Sequence, residues 1–278
     1  MILDEIITTR KQIIAELKKE ITIADFKQQI QGNTYPHYSF HNALTSNIKD
    51  LSPKENTNIE DLSPKKRAPK IIAEVKKASP SRGIICEEFD YIGIAKAYEE
   101  GGAAAISVLT EPAYFKGENR YLTEIKQVVK LPLLRKDFIV DEWQIYEAKA
   151  IGADAILLIV AALEQTKLEA FLKKAHELGM DALVETHDEE EVGRAIATGA
   201  KIIGVNNRNL QTFEVSLKVS ERLSKLIPAD CIFVAESGVK TLEDMQFIKS
   251  IGADAVLIGE GVVKSGNRVQ RLKELQEI

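Results

Sequence analysis

The hydrophobic pattern of the chain contains four segments in which a glycine ends a helical stretch and a short apolar run follows. These segments begin at Gly102, Gly152, Gly199 and Gly252. Glycine adopts at little cost the left-handed conformation that ends many helices. The glycines lie about fifty residues apart, an interval that fits two strand–helix units rather than one. The pattern therefore predicts a chain of strand–helix repeats, with a further unit inside each interval.

Further strands and helices complete this repeat. Apolar runs predict strands over Ile71–Val75, Leu133–Lys136, Asp181–Glu185 and Ile232–Ser237, besides the four runs that follow the glycines. A period of 3.6 residues predicts helices over Tyr91–Glu100, Tyr121–Val129, Glu142–Ala150, Thr166–Leu178, Glu189–Ala197, Ser216–Leu226, Leu242–Ser250 and Val269–Leu275. The strands are continuously apolar, as in parallel sheets that are covered on both faces. The alternation predicts a (β/α)8 TIM barrel; a doubly wound open sheet would also alternate, but its GxGxxG turn after the first strand is missing from the sequence.

The first seventy residues differ from the repeat and predict a helical extension of the barrel. Leu3, Ile6 and Ile14 belong to one apolar stripe, which predicts an amphipathic helix over residues 2–19 that packs on the barrel. A second short helix is predicted over Ile23 to Ile30. The following segment is polar and contains the motif DLSPK twice, which indicates an exposed insertion. We expect one domain over 1–278, made of an extension over 1–45, a linker over 46–70 and a barrel over 71–278.

Composition and charge indicate which partners and which cellular compartment to expect. The net charge is −5 and no basic run is present, which argues against nucleic acid. Cys86 and Cys231 are far apart and are typical of reduced thiols in a cytosolic protein. The chain begins without a basic signal sequence, and its longest apolar run, Ala155 to Leu163, is too short to span a bilayer. We expect a soluble cytoplasmic protein that is a monomer or a weak homodimer.

Polar residues gather at the C-terminal ends of the predicted strands. They are Glu74 and Lys76, Lys136, Glu185, Asn206 and Arg208, Glu236 and Ser237, and Gly259 and Glu260. In a parallel barrel these ends form one rim, where barrel enzymes keep their active sites. Gly259–Val263 is predicted to form a short helix beside Ser237 and Gly238 that receives a phosphate group.

The residue types at this rim favour acid–base chemistry by lysine and glutamate. His187 follows Glu185 closely, but no third ligand lies near it in sequence, so we expect neither a metal ion nor a cofactor. Alternation along the strand does not decide whether Arg135 or Lys136 faces inward; lysine is the better acid. Apolar surroundings and cationic neighbours such as Lys76 should lower the pKa of Lys136. Glu185 is the expected base.

Four long stretches resemble the indole-3-glycerol-phosphate synthase family. They read IIAEVKKASPSRG, LPLLRKDFIVDEWQIYEAKAIGADAILLI, ALVETHDEEEVGRAIATGAKIIGVNNRNL and VAESGVKTLEDMQFIKSIGADAVLIGEGVV. They cover about residues 71–265 in order, and LDEIITTRKQIIAELK resembles the N-terminal extension of that family. The resemblance implies a lyase of tryptophan biosynthesis. Its small phosphorylated substrate, 1-(2-carboxyphenylamino)-1-deoxyribulose 5-phosphate, becomes indole-3-glycerol phosphate with loss of carbon dioxide and water.

The resemblance also implies roles for the residues at the rim. Lys136 is the implied general acid and Glu185 the implied base, whereas Lys76 binds the substrate carboxylate; which lysine acts in the dehydration stays open. The remaining implied site residues are Glu74, Asn206 and Glu236 at the sugar hydroxyls with Arg208 close by, Ser79, Ser237, Gly238 and Gly259 at the phosphate, and Phe115 at the substrate ring. Two features depart from the family: the linker is longer, and Glu260 replaces a small residue.

Three other functions stay open from the sequence. A phosphoribosylanthranilate isomerase would need a cysteine at the end of the first strand, where this chain has Lys76. A Schiff-base aldolase would use Lys136 as a nucleophile. A non-catalytic phosphosugar-binding barrel would not need both Lys136 and Glu185.

Overall fold

A computed structural model describes residues 2–45 and 68–278 of the chain. The doubled DLSPK motif and nearly all of the predicted linker over 46–70 lie outside these described residues. Within them, no helix is long and apolar enough to cross a membrane.

Parallel strands close into a barrel in chain order, which confirms the predicted fold. In the described residues the barrel strands are β1 (Lys70–Val75), β4 (Ala105–Leu109), β5 (Leu133–Lys136), β6 (Ala155–Ile159), β7 (Asp181–Thr186), β8 (Ile202–Asn206), β9 (Ile232–Glu236) and β10 (Ala255–Ile258). Closure occurs where β1 pairs with both β4 and β10. The loop after β1 also forms a small hairpin of β2 (Ala78–Ser79) and β3 (Gly83–Ile84), which the hydrophobic pattern did not predict.

Helices alternate with the barrel strands and largely follow the predicted periodicity. They are α1 (Ile2–Glu20), α2 (Ile23–Gly32), α3 (Phe40–Thr45), α4 (Tyr91–Glu100), α5 (Asn119–Lys126), α6 (Trp143–Ala150), α7 (Gln165–Glu177), α8 (Glu189–Ala197), α9 (Lys218–Leu223), α10 (Leu242–Ser250), α11 (Glu260–Val263) and α12 (Arg268–Leu275). The four glycines of the repeat have φ between 79° and 95°, as their predicted place at helix ends requires. The main difference is α9, which is shorter than predicted because its last turn is a 3₁₀ helix.

Pleating of the strands separates two layers of core. Ile72, Leu134 and Leu257 belong to the cluster inside the barrel, whereas Ile71 and Leu133 belong to the layer between strands and helices. Side chains two residues apart share a face of a strand. This alternation turns Lys136 inward with Leu134, and Arg135 outward with Leu133.

The helix α3 plugs the N-terminal end of the barrel and was not predicted. Phe40 is fully buried in the interior cluster. The backbone N–H of His41 donates to Asp181 at 2.9 Å, and that of Tyr38 donates to Asp154 at 3.0 Å. Asp181 begins β7, and Asp154 directly precedes β6. The extension therefore closes the end of the barrel opposite the predicted site.

The helix α1 lies against the other end of the barrel. Its predicted apolar stripe is confirmed, because Leu3, Ile6 and Ile14 are buried. Arg10 from the same helix is also buried and forms a bidentate ion pair with Asp137, the residue after β5. The extension is therefore attached to both ends of the barrel.

Candidate active site

A pocket opens at the C-terminal ends of the strands and brings all the predicted site residues together. Its wall includes Glu74, Lys76, Ser79, Phe115, Lys136, Glu185, Asn206, Arg208, Glu236, Ser237, Gly238 and Gly259. Leu3 and Ile6 of α1 line the same pocket, so the extension covers part of its mouth. The structure thus collects these side chains; their individual roles stay predictions.

At the centre of the pocket, Lys136 lies between two carboxylates from other strands. Its Nζ donates to Oε2 of Glu185 at 3.0 Å and to Oε2 of Glu236 at 2.9 Å. The lysine side chain is 14% exposed, whereas the two glutamates are 3% and 1% exposed. Asn206 on β8 donates to the other oxygen of Glu185 at 3.2 Å. Lysine, base candidate and amide are thereby held in one hydrogen-bonded cluster.

These contacts overturn the expectation that Lys136 has a lowered pKa. Burial does oppose the charge of the ammonium group, but the carboxylates of Glu185, Glu236 and Glu74 outweigh burial and raise the pKa. For Glu185, burial is likewise outweighed by the positive charges of Lys136 and His187, so the pKa of this carboxyl is lowered. The raised pKa favours the cationic form of Lys136, and the lowered pKa favours the anionic form of Glu185.

Glu236 behaves differently from Glu185 although it binds the same lysine. Burial and the neighbouring Glu185 raise the pKa of Glu236 to about 7, against the opposing effect of Lys136. Its Oε1 atom is buried and has no hydrogen-bond partner in the described part of the chain. Gly204 on β8 makes room for this carboxylate, since a side chain there would collide with Oε1. Glu236 is therefore the carboxyl of the cluster that gains a proton most readily near neutral pH.

A second acid–base pair lies at the end of β1. Lys76 donates to Oε1 of Glu74, so the two residues that were predicted to share a face of the strand do contact each other. Gly259 approaches this pair so closely that a side chain at position 259 would collide with the Glu74 carboxylate. Ser79, in the hairpin strand β2, lines the same pocket.

The predicted phosphate end of the pocket is formed by two tight segments. Ser237 and Gly238 after β9 have φ of 62° and 94°, so the chain turns sharply beside the pocket. The predicted short helix is present as α11, which begins after Gly259. Glu260 is bound by Lys264 at 2.7 Å, with Arg82 3.8 Å away. The negative charge that was unexpected in this loop is thus neutralised by neighbouring cations.

The opposite wall is apolar and has a support that the sequence reasoning missed. Phe115 lies beside Phe138, with ring centroids 6.0 Å apart. The carboxylate of Glu111 is fully buried and accepts the backbone N–H groups of Ala113, Tyr114 and Phe115 at 2.8–3.0 Å. Glu111 therefore fixes the loop that presents Phe115. Its only sequence signal is an acidic residue two positions after an apolar strand.

Arg208 lies at the rim but is partly bound to its own loop. Its backbone N–H donates to the Asn206 side chain at 3.0 Å, and its guanidinium donates to the carbonyl of Phe213 at 3.3 Å. Arg135, the alternative to Lys136, points away from the pocket and binds Glu147 and Asp137 in a buried network. The structure thus selects Lys136 as the residue of this strand that faces the pocket.

Fold and pocket together place this chain among TIM barrels whose rim collects acidic, basic and apolar side chains, the setting in which enzymes of this fold carry out acid–base chemistry. Two lysine–glutamate sites, an apolar wall and a tight turn beside a short helix share one rim, where TIM-barrel enzymes act. Solved structures similar in fold include 3-hexulose-6-phosphate synthase from Salmonella typhimurium, with a TM-score of 0.61, 14% identity, and coverage of 75% of this chain and 97% of that one. Thiamine phosphate pyrophosphorylase from Pyrococcus furiosus matches with a TM-score of 0.57, 16% identity, and coverage of 77% and 96%. These likenesses show the fold alone.

Comparison of sequences gives the family. The model of indole-3-glycerol phosphate synthase matches residues 3–275. A protein of that name from Acetivibrio thermocellus is 47% identical over 279 residues, with 100% of each chain covered. Another from Endomicrobium trichonymphae is 54% identical over 227 residues, covering 82% of this chain and 88% of its own length. The chain belongs to the indole-3-glycerol phosphate synthase family. The predicted family and its class of reaction, a carboxy-lyase of tryptophan biosynthesis, are confirmed.

Proposed function

We propose that the pocket binds 1-(2-carboxyphenylamino)-1-deoxyribulose 5-phosphate and closes its indole ring, with Lys136 as the acid and Glu185 as the base. The observation that supports these roles is the position of Lys136 between Glu185 and Glu236, in the pocket that all other predicted site residues line. A buried cation beside a buried anion provides a proton donor and a proton acceptor in one water-poor site.

The reaction divides into steps that these residues can serve. Lys136 protonates the ketose carbonyl oxygen while the aromatic carbon that bears the carboxylate attacks the carbonyl carbon. The intermediate then loses carbon dioxide, and the electron pair of the broken carbon–carboxylate bond restores the aromatic ring. Glu185 then removes a proton from the ring carbon next to the one that bears the hydroxyl group, and this hydroxyl group takes a proton from Lys136 or Lys76 and leaves as water. The raised pKa of Lys136 favours its protonated form, so this group has a proton to donate.

Binding divides between the two sides of the pocket. Lys76 receives the substrate carboxylate and gives up part of its contact with Glu74. Ser79, Ser237, Gly238 and Gly259 receive the phosphate, and Phe115 packs against the aromatic ring together with Leu3 and Ile6 of α1. Glu74, Asn206 and Glu236 hold the hydroxyl groups, with Arg208 nearby. The covering helix excludes water during the cyclisation.

Single replacements at the central pair test the assigned roles. We expect Lys136→Ala and Glu185→Gln to lower turnover by roughly 10²–10⁴-fold, because each removes one partner of proton transfer. Product formation is followed by indole fluorescence with EDTA present, which tests the metal-free mechanism in the same experiment. Lys18→Ala and Glu190→Gln, at exposed positions, are the matched controls. Near wild-type turnover by either pocket variant would show that the role is assigned wrongly.

A covalent alternative is tested with the same protein. If Lys136 were a Schiff-base nucleophile, borohydride in the presence of substrate would trap an adduct on it, which mass spectrometry would find. We expect no adduct.

The wider proposal is a cytoplasmic enzyme that acts as a monomer or weak homodimer on a small phosphorylated substrate and not on nucleic acid. The net charge of −5 argues against nucleic acid as the partner, and sedimentation analysis measures the oligomeric state.

A further inference from the structure

A histidine that the proposed mechanism does not use lies directly behind the base candidate. His187 is two residues after Glu185, at the point where β7 ends, so both side chains leave the strand on the same side. Nε2 of His187 is 3.3 Å from Oε1 of Glu185. That nitrogen is buried and makes no aligned hydrogen bond within the described residues. The ring thus approaches Glu185 as an ion-pair partner.

The start of α8 holds this ring in place. Nδ1 of His187 lies 3.0 Å from Oε2 of Glu191, and the same oxygen accepts the backbone N–H of His187 at 2.8 Å. Glu191 lies in the first turn of α8, where Asp188 caps the helix and accepts the Glu191 backbone N–H at 2.9 Å. Glu191, His187 and Glu185 therefore form a continuous line from the helix to the pocket.

Glu185 uses its two oxygens for different partners. Oε2 accepts a hydrogen bond from Nζ of Lys136. Oε1 accepts a hydrogen bond from Asn206 and also lies beside Nε2 of His187. In the proposed reaction Lys136 turns to the substrate carbonyl, and its charge then moves away from Glu185. His187 remains as the cation in contact with the carboxylate. If Lys136 were the only cation beside Glu185, the carboxylate would lose its counter-charge when Lys136 turns to the substrate.

We propose that His187, held by Glu191, is a positioning residue that keeps Glu185 ionised and correctly oriented while Lys136 engages the substrate. The inference rests on the proposed function, because it assumes that Glu185 is the base. It adds to that function a line of three side chains in which only Glu185 touches the reacting molecule.

The charges around the ring agree with this role. Burial opposes protonation of the imidazole, but the carboxylates of Glu185 and Glu191 outweigh burial and raise the pKa of His187 to about 10. The charged groups that face Glu185 from the other strands are Lys136 on β5 and Glu236 on β9. A positive His187 lowers the pKa of Glu185, so its removal should raise that pKa by about one unit.

His187→Gln tests the proposal, because glutamine retains a donor of similar reach and removes only the charge. We expect the acid limb of the kcat–pH profile to move upward by about one unit, with about tenfold lower kcat below the limb. KM and melting temperature should stay close to those of the wild type. Glu191→Gln keeps an acceptor for the ring but removes its counter-charge; we expect a shift in the same direction and of smaller size. Glu190→Gln, exposed on the same helix, should leave the profile unchanged.

Two outcomes would overturn the inference. An unmoved acid limb in folded His187→Gln would show that the histidine does not control the ionisation of Glu185. A purely structural role would be shown by a lower melting temperature that accounts for the whole fall in activity, with the acid limb of the kcat–pH profile unmoved. Failure of the proposed function is distinguishable, since Glu185→Gln would then retain turnover. If Glu185→Gln is inactive and His187→Gln is unaltered, only the inference about the histidine fails.

Discussion

Replacement of Arg10 by methionine should destabilise the protein far more than replacement of Lys18, although both residues connect α1 to the segment after β5. Nε and Nη2 of Arg10 donate to Asp137 at 3.0 and 2.7 Å, and the two side chains are 3% and 0% exposed. Lys18 binds Asp141 at 2.9 Å, but these side chains are 43% and 35% exposed. Both pairs join α1 to the segment after β5 with short contacts, and they differ most in burial.

Burial determines how much free energy of unfolding each replacement is expected to cost. Loss of one partner of a buried ion pair costs about 3–5 kcal/mol, because the other charge stays buried; the cost here should be about 3 kcal/mol, since Arg135 still contacts Asp137. An exposed pair contributes about 0–1 kcal/mol. Urea unfolding of Arg10→Met and Lys18→Met measures both free energies of unfolding. Equal losses in the two variants would refute the reasoning that burial of the pair decides its contribution.

The pH dependence of the same pair gives a second measurement. Burial opposes the charge of Asp137, but Arg10 and Arg135 outweigh it and lower the pKa of this carboxyl. A lowered pKa in the folded state stabilises the protein above the unfolded pKa of about 4 and ceases to do so as the pH falls through the folded value. The difference between wild type and Arg10→Met should therefore be full at neutral pH and decrease in acid. A difference that grew in acid would contradict the assigned ion pair.

Three further replacements test the plug, the loop support and the close approach in the pocket. Phe40→Ala should lower the free energy of unfolding by about 3–5 kcal/mol in urea with kcat unchanged, because the plug lies opposite the pocket; a small loss would mean that the barrel end closes without it. Glu111→Ala should raise KM more than it lowers kcat, since the loop that presents Phe115 loses its acceptor for three backbone N–H groups; an unchanged KM would exclude this role. Gly259→Ala should raise KM in steady-state kinetics by displacing Glu74, whereas unaltered kinetics would show that the pair can move without effect.

The barrel was predictable because its information is local. The four repeat glycines that end helices, and the apolar run that follows each of them, are visible within a few residues, and α4, α8 and α10 have the predicted bounds. The rim was predictable for a related reason, since parallel strands place their C-terminal ends together whatever the loops do. By contrast, α3 has only six residues and too little periodicity to be recognised. The packing role of Phe40 depends on the barrel end that it fills, which the local sequence does not show.

Outside the rim, pairs that join distant parts of the chain were not predictable. Arg10 and Asp137 are separated by 127 positions, and neither side chain differs in sequence from an ordinary surface charge. Arg135 and Lys136 were also indistinguishable until the pleat of β5 turned one outward and the other inward. Glu111 was missed because its function, as acceptor of three backbone N–H groups, depends on the path of the following loop.

The wrong expectation for the pKa of Lys136 shows how charge in this pocket is arranged. The sequence suggested cationic neighbours, but the strands β1, β7 and β9 each direct a glutamate toward the lysine, and their combined charge outweighs its burial. One lysine cannot neutralise all of these carboxylates, so the excess negative charge is compensated in other ways: Lys76 binds Glu74, His187 faces Glu185, and the pKa of Glu236 rises to about 7. A substrate that brings a phosphate and a carboxylate adds further negative charge to this rim. Such charge favours the cationic form of each lysine and the protonated form of Glu236, while the positive charges of Lys136 and His187 favour an ionised Glu185. The pocket can therefore hold protonated acids and one unprotonated base side by side, which is the condition that ring closure followed by dehydration requires.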